Sequence, residues 1–426
     1  MLKAGMSIAD ITPAKGVQLA GYPHCPRGNE GVHDRSYASC MFLDNGEKKV
    51  ALVAMDLLYF TKKRVEELRS KFGFEIVISV SHSHSTPMVS YVHEFEREEG
   101  IDVSDEYTAE LMEKTEKLIR EASENTFDAQ FATYVGRCGA ERGVGGNRRE
   151  RDGVADPSVN VMCVRDTEGR IRGIYTCYAL HPTYLHAENV LVSADYPGYI
   201  RRYLSFAYPD AVFMFTQGTS GNQSSRYHRI GQNFEEACRV GTTLGTEIQN
   251  CIEKMEFTDR LEINVKHTEI DLPRRKFASS AEAKPRMEAA RQRFQSLKNA
   301  DYITMRNAEL DMFGAEDLYY LALELEEGET FYDKQLPCEI QAVVLNDTAL
   351  LMTQGEIFVE FGLSIKSESK YAKTFVVELS NGELPGYIYT EDAVNDGGYE
   401  VGNSIFAPTA GNEIVKAAVK LLNGEK

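Results

Sequence analysis

Two histidines one residue apart, in "IVISVSHSHSTP" from Ile76 to Pro87, stand where an apolar run gives way to small hydroxylated residues. Strand side chains alternate faces, so an extension continued through the motif puts His82 and His84 on one side, at the rim of a buried strand. Neutral imidazole is the commonest metal ligand and a proton carrier near neutral pH. The pair therefore suits a metal hydrolase in which one histidine binds and the other moves protons. Taken alone, an HxH is read instead as two hydrogen-bonded core histidines. A second cluster, "YALHPTYLHAENVLVSADYPG", changes that balance. His181 also ends an apolar strand and precedes a proline, the kind of strand-to-loop junction where open α/β sheets collect ligands. His186 is either a substrate contact or a loop histidine, and the loop reading is preferred. In "MFTQGTSGNQSSR" a strand runs into a loop from Gly218 to Ser225 whose glycines allow close backbone approach. Ser224 there is a candidate nucleophile, though no GxSxG elbow surrounds it. In "LMTQGEIF" a strand again ends at glycine, and Glu356 is placed to complete a shell of two histidines and one acid.

The elements that must position these groups follow from apolar periodicity. "ASCMFLD" and "KKVALVAMD" read as a hairpin closed near "NGEK", with Asp56 where the second strand stops. "TKKRVEELRSKFG" reads as a helix capped by Thr61 and ended by Gly73, followed by the strand "EIVISVS". Helical spacing runs from Ser104 to about Ser123. "AQFATYVGRCG", "VNVMCVRD", "GRIRGIYTCYALHP" and "AVFMFTQG" are strands, with a helix in "YPGYIRRYLSFAYP". Residues 279–327 are charged and helical, and are expected to form a paired-helix insertion with a solvated surface. "CEIQAVVLND", "TALLMTQGE" and "KTFVVELSNG" resume strand character, and the helix "NEIVKAAVKLL" follows. The fold class predicted is α/β, with mixed β-sheets and surrounding helices, and residues 1–426 form a single catalytic domain.

Composition narrows the function classes. With 42% hydrophobic and 26% charged residues over 426 positions, a large core is available. The net charge of -18 repels phosphate backbones and anionic lipid surfaces, and no compensating basic stripe is present, which argues against nucleic acid as a partner. Apolar runs are too short for membrane insertion, and the opening "MLKAGMSIADITPAKG" lacks a signal-peptide pattern, so a cytoplasmic location is expected. Eight cysteines without a CxxC pair fit reduced thiols in that compartment.

Together these stretches resemble the neutral (non-lysosomal) ceramidase superfamily. The resemblance runs from "AGMSIADITPAKGVQLAGY" through "GVHDRSYASCMFLD", "SVSHSHSTP", "GGNRRERDG", "LHPTYL", "SADYPG", "GTSGNQSSR" and "QGE" to "SNGELPGYIYTEDAVNDGGYE", which is nearly the whole chain. It implies a zinc ion held by His82, His181, Glu356 and Tyr387, with His84 activating the attacking water. It also implies that Arg148 and Tyr399 bind the substrate carbonyl oxygen and that Ser224 matches the family's active-site serine. Asn222 and Ser225 replace the aspartate and proline of the family's GDxSP loop. Neither the leader nor the C-terminal immunoglobulin-like domain of secreted members is recognised, and no amphipathic basic helix or apolar patch is evident for lipid access. The expectation is a zinc-dependent hydrolase of an amide bond, in lipid metabolism or on a small polar N-acyl compound. Two other readings stay open: a non-catalytic small-ligand-binding relic of the fold, and a metal-dependent hydrolase of a sugar or lactone.

Overall fold

The computed structural model describes residues 2–22, 25–91, 101–297, 299–328, 335–384 and 386–424. An eight-stranded sheet runs in the order Val212–Gln217, Ile171–Tyr178, Ser158–Asp166, Thr126–Arg137, Lys3–Asp10, Tyr37–Asp44, Lys49–Met55 and Glu75–Val80. Neighbours are antiparallel except at the two edges, where Lys49–Met55 pairs parallel with Glu75–Val80 and Ile171–Tyr178 pairs parallel with Val212–Gln217. The mixed α/β class expected from the sequence is borne out, as is the hairpin that joins Tyr37–Asp44 to Lys49–Met55.

The sheet curls until its edge strands approach each other. A second, four-stranded sheet fills the gap. It contains Ile263–Ile270, Cys338–Leu345, Thr348–Thr353 and Lys373–Val377. The chain leaving Lys373–Val377 runs into the seam: the Glu378 amide donates to Gln217 O at 3.0 Å, and the Asn381 amide to Ile78 O at 2.7 Å. Asn381 sits at φ 59°, a left-handed conformation that asparagine tolerates better than most residues. Its carboxamide accepts the Ile78 amide at 3.0 Å and donates to Glu339 and Gln341 at 3.0 and 2.7 Å, so both sheets are stitched by one side chain. Between the sheets lies a common core in which Leu43, Leu52, Met162 and Tyr175 pack with Val343, Leu350 and Phe375. Burial of this apolar area, at roughly 25 cal/mol per Å², is the main force holding the sheets face to face.

Helices cover the outer faces. Lys62–Arg69 and Asp105–Glu124 lie over one edge, Tyr196–Ala207 and Phe234–Glu253 over the other, and Val359–Glu368 and Ala410–Asn423 over the second sheet. Thr61 is the N-cap residue of the first helix, but its side chain makes no capping hydrogen bond, contrary to the expectation, and the helix stops at Arg69, short of Gly73. Residues 279–327 do form a helix pair, Ser280–Ser296 and Tyr302–Glu327. The solvated-surface expectation fits Ser280–Ser296, where Ala283 and Met287 are the buried positions, and is corrected for the longer helix, in which Ala308, Glu316, Asp317, Leu321 and Ala322 are buried and which packs on Tyr399–Gly402. Its apolar positions are spread widely enough to serve a second contact as well as the pairing of the two helices.

Asp56 ties the sheet to its helical cover. Buried at the end of Lys49–Met55, it accepts Arg201 Nη2 at 2.7 and 2.9 Å and the Tyr37 amide at 2.8 Å. Burial raises its pKa, and Arg201 opposes that rise. Arg201→Ala leaves a buried carboxylate without its cation and is expected to cost about 3–5 kcal/mol near neutral pH in urea unfolding. A carboxyl whose folded pKa lies above its unfolded value binds protons more tightly when folded, so the deficit should shrink as pH falls towards about 5. A deficit that is flat with pH would contradict this account.

Candidate metal centre

The strand ends carry the chemistry. Glu75–Val80 stops before the motif, and His82 adopts φ 61°, so the continued extension expected for "SHSHS" does not occur. The two histidines converge nonetheless, with ring centroids 4.9 Å apart and nearly perpendicular planes. A left-handed residue turns the chain sharply, and its amide is held by Leu57 O at 2.9 Å. His181 arrives from the strand next to the far edge, three residues past Tyr178, and its ring centroid is 4.9 Å from that of His82. Ligand atoms of His82, His84 and His181 all lie within 4.8 Å of one another.

Each ring is oriented by a backbone carbonyl. Nδ1 of His82 faces Leu58 O at 3.2 Å, that of His84 faces Gly21 O at 2.7 Å, and that of His181 faces Ser220 O at 2.8 Å. A carbonyl can only accept, so each Nδ1 carries the proton and each Nε2 presents a bare lone pair. The Nε2 atoms of His82 and His84 are buried and have no hydrogen-bond partner. Glu356 completes the set: its Oε2 lies 3.0 Å from His181 Nε2 and 3.3 Å from His82 Nε2. These are the separations of ligand atoms along the edges of a tetrahedral zinc shell, about 3.3 Å for bonds of about 2.0–2.1 Å. Two lone pairs against a carboxylate oxygen repel one another unless a cation stands among them. The donor set fits a divalent metal of the zinc type.

Electrostatics agree with neutral imidazoles at His84 and His181. Burial, then the neighbouring His82 and His181, pushes the His84 pKa well below its usual value. His181 is lowered to about 4 by burial and by Arg148. Burial works to raise the Glu356 carboxyl, and only positive charge or an N–H at His82 and His181 would hold it low, a part that falls to a cation when both Nε2 atoms are bare.

Glu356 and Tyr387 are register partners in a short parallel ladder, Glu356–Ile357 with Tyr387–Ile388. That ladder sets the tyrosine beside the acid, and the Tyr387 ring lies 5.2 Å from the Arg148 guanidinium carbon. Arg148 is fixed through Nε, 2.7 Å from Glu400, while its Nη2 is buried without a hydrogen-bond partner. The Tyr387 and Tyr399 ring centroids are 5.7 Å apart, and Tyr399 Oη accepts Asn403 Nδ2 at 3.1 Å. The structure thus brings together His82, His84, His181, Glu356, Tyr387, Arg148 and Tyr399. Ser224 sits in a two-residue strand paired with Gly146–Asn147, and its hydroxyl accepts the Arg226 amide at 3.2 Å. His186 bonds Glu188 at 2.8 Å on the loop where it was expected.

Some contributors carry no sequence signal. Tyr59 donates to Glu356 Oε1 at 3.2 Å, and Ser220 donates to the buried Glu378 at 2.6 Å while its carbonyl orients His181. Asn222, the residue that departs from the family loop, accepts the Val359 amide at 2.9 Å and donates to Glu360 at 2.8 Å. Its carbonyl takes the Arg148 amide at 2.8 Å. The loop from Gly218 to Ser225 is therefore a bracket that joins Arg148, His181 and the Glu356 segment.

No family model matches the chain. Among curated proteins, the neutral ceramidase of Drosophila melanogaster is 24% identical over 223 residues, covering 46% of this chain and 31% of that protein. The neutral ceramidase of Drosophila pseudoobscura pseudoobscura is 25% identical over the same length. The match spans about a third of the length of these relatives. Among solved structures, neutral ceramidase from Pseudomonas aeruginosa superposes with a TM-score of 0.74 over 99% of this chain and 74% of that one, at 16% identity. This chain has the fold of the neutral ceramidase superfamily. A ceramidase solved in complex with C2 gives a TM-score of 0.73 at 14% identity, with the same coverage. The superfamily resemblance read from "SHSHS", "HPT", "QGE" and the Tyr387–Tyr399 segment is borne out in fold.

Within this ceramidase-like frame metal content separates the expected ligands His82 and His181 from His84, the expected base. Purified His82→Ala and His181→Ala are each expected to lose at least about tenfold in zinc affinity, read by elemental analysis after dialysis against metal-free buffer. His84→Ala is expected to stay near stoichiometric. Equal loss in all three variants would make His84 a ligand.

Proposed function

We propose that the protein is a zinc-dependent hydrolase of an amide bond, acting on a ceramide-like or smaller N-acyl compound. One observation carries the reading. Three imidazoles are locked by backbone carbonyls with their Nε2 lone pairs turned to one point, with the Glu356 carboxylate against two of them. His82, His181, Glu356 and Tyr387 would hold the ion, and zinc there would polarise a carbonyl and lower the pKa of a water it binds.

The remaining chemistry belongs to the chain. His84, neutral and bare at Nε2, accepts a proton from the attacking water and returns it to the departing nitrogen. Gly21 O holds the proton on the opposite ring nitrogen at 2.7 Å, which keeps Nε2 available. Arg148 offers a buried, unpartnered Nη2 to the carbonyl oxygen as negative charge develops there. Asn403 donates into Tyr399 Oη at 3.1 Å, so the phenolic proton is free to donate to the same oxygen. An apolar cleft lined by Ala20, Leu58, Met88, Val89 and Ile101 adjoins Tyr59, His84 and Glu356, and suits an aliphatic group next to the scissile bond. The names of the relatives favour ceramide among the N-acyl compounds.

Release of free amine from N-acyl substrates, ceramide included, tests the reaction. His84→Ala is expected to keep metal and lose about 10²–10⁴-fold in kcat. Gly21→Ala is a finer probe. Gly21 sits at φ +103° and a Cβ there would lie 2.6 Å from the His84 ring, so the base must shift while the ligands stay in place. Retained zinc with reduced kcat is the expected result. Wild-type protein that holds zinc and releases alcohol or sugar but no amine would replace amide cleavage with lactone or glycoside cleavage.

A further inference from the structure

A second chamber lies behind Tyr399. It has a volume of about 410 Å³, against about 60 Å³ for the cleft at the histidines, and Tyr399 lines both. Its size falls in the range of small-molecule sites. One wall comes from the helix pair Ser280–Ser296 and Tyr302–Glu327, and the other from the chain around Arg275–Phe277 and from Gly398–Gly402. The walls meet through Gly314 and Gly402, where a Cβ on Gly402 would lie 3.5 Å from the Gly314 Cα. Asn403 ties them as well, donating from one amide nitrogen to Asp317 at 2.6 Å and to Tyr399 at 3.1 Å.

The lining combines apolar surface with positive charge. Phe277, Leu310 and Leu318 supply apolar surface, and Lys276 and Arg286 add exposed cations that make no ion pair with an acid among the described residues. Glu282, one turn before Arg286, is hydrogen-bonded within the Ser279 cap and acts on Arg286 through space, without a contact ion pair. The acid that lines the chamber, Asp311, is 3.3 Å from Arg293 and is offset by it. In a chain of net charge -18, a cavity edged by cations without an ion-pair partner among the described residues attracts an anion that its surroundings repel.

We infer that this chamber is a substrate subsite for an anionic group carried on an apolar stem. The occupant is the part of the substrate that extends past Tyr399 from the scissile bond, and it ends in a carboxylate or comparable anion, which selects among N-acyl compounds one that, unlike ceramide, carries a charge. The word substrate rests on the hydrolase reading; the chamber's preference for an amphiphilic anion does not.

Octanoate and its neutral counterpart octanamide, titrated calorimetrically into the intact protein, separate the two. Octanoate is expected to bind more tightly than octanamide, and Lys276→Ala with Arg286→Ala is expected to weaken octanoate by about tenfold while leaving octanamide unchanged. Binding should persist in His181→Ala, which removes capture of the carboxylate at the metal. Equal affinity for the two probes, no effect of the double variant, or loss of octanoate binding in His181→Ala would each overturn the subsite. Should octanoate bind as expected while no N-acyl amide is cleaved, the hydrolase reading fails and the anion site stands. For active protein, the double variant should lower kcat/KM for an amide with a terminal carboxylate on its chain and spare the uncharged analogue.

Discussion

A carboxylate oxygen held within 3.3 Å of two imidazole lone pairs is an unfavourable arrangement, and much of the surrounding structure exists to maintain it. Left alone, such groups would protonate, rotate or draw in water. Here the rings cannot turn, because each Nδ1–H is bonded to a carbonyl at 2.7–3.2 Å from a different part of the chain. The repulsion is then available to bind a cation. Orientation by outer hydrogen bonds raises ligand basicity and fixes the tautomer, so the carbonyls of Gly21, Leu58 and Ser220 matter to the centre as much as the histidines do.

That rigidity comes from the way the two sheets meet. The edge strands Glu75–Val80 and Val212–Gln217 are separate in sequence and at opposite ends of the sheet order, yet the segment after Val377 bonds to both. Closing the gap removes two sheet edges and buries Glu378, whose carboxyl burial pushes well above its usual pKa. Glu378 then braces Ser220 and the Ile357 amide, one on each side of the centre, at 2.6 and 2.7 Å. A fully bonded polar network of this kind adds little net stability but specifies one arrangement of the rim.

The helix pair gives the site a part that the sheets do not supply. Tyr399 stands on a four-residue helix, too short to hold itself, and the longer insertion helix packs against it. Through Asn403 the buried Asp317 sets the direction of the Tyr399 phenol. A charged segment that looks like solvated surface thus both positions the Tyr399 hydroxyl, proposed to face substrate, and walls a second chamber.

The sequence by itself determined the local elements and the residue types. Period-two and period-3.6 patterns marked the strands and helices described here, because each is buried on a definite face. His82, His84, His181 and Glu356 could be picked out as candidates because each follows an apolar run that ends in small or turn-forming residues. Tyr387 and Arg148 were legible only through resemblance, since a tyrosine or an arginine in a loop has no local pattern. Tertiary structure alone decided how these meet. The turn at His82, not strand alternation, aims that ring, and positive φ is a property of the folded backbone that residue type does not announce. Tyr59, Ser220, Glu378 and Asp317 acquire their roles from partners 39 to 297 residues away, or in the case of Asp317 86 residues away. Contacts at that separation are selected by closure of the sheets and packing of the core, which act on the whole chain at once and leave no periodic trace in any one segment.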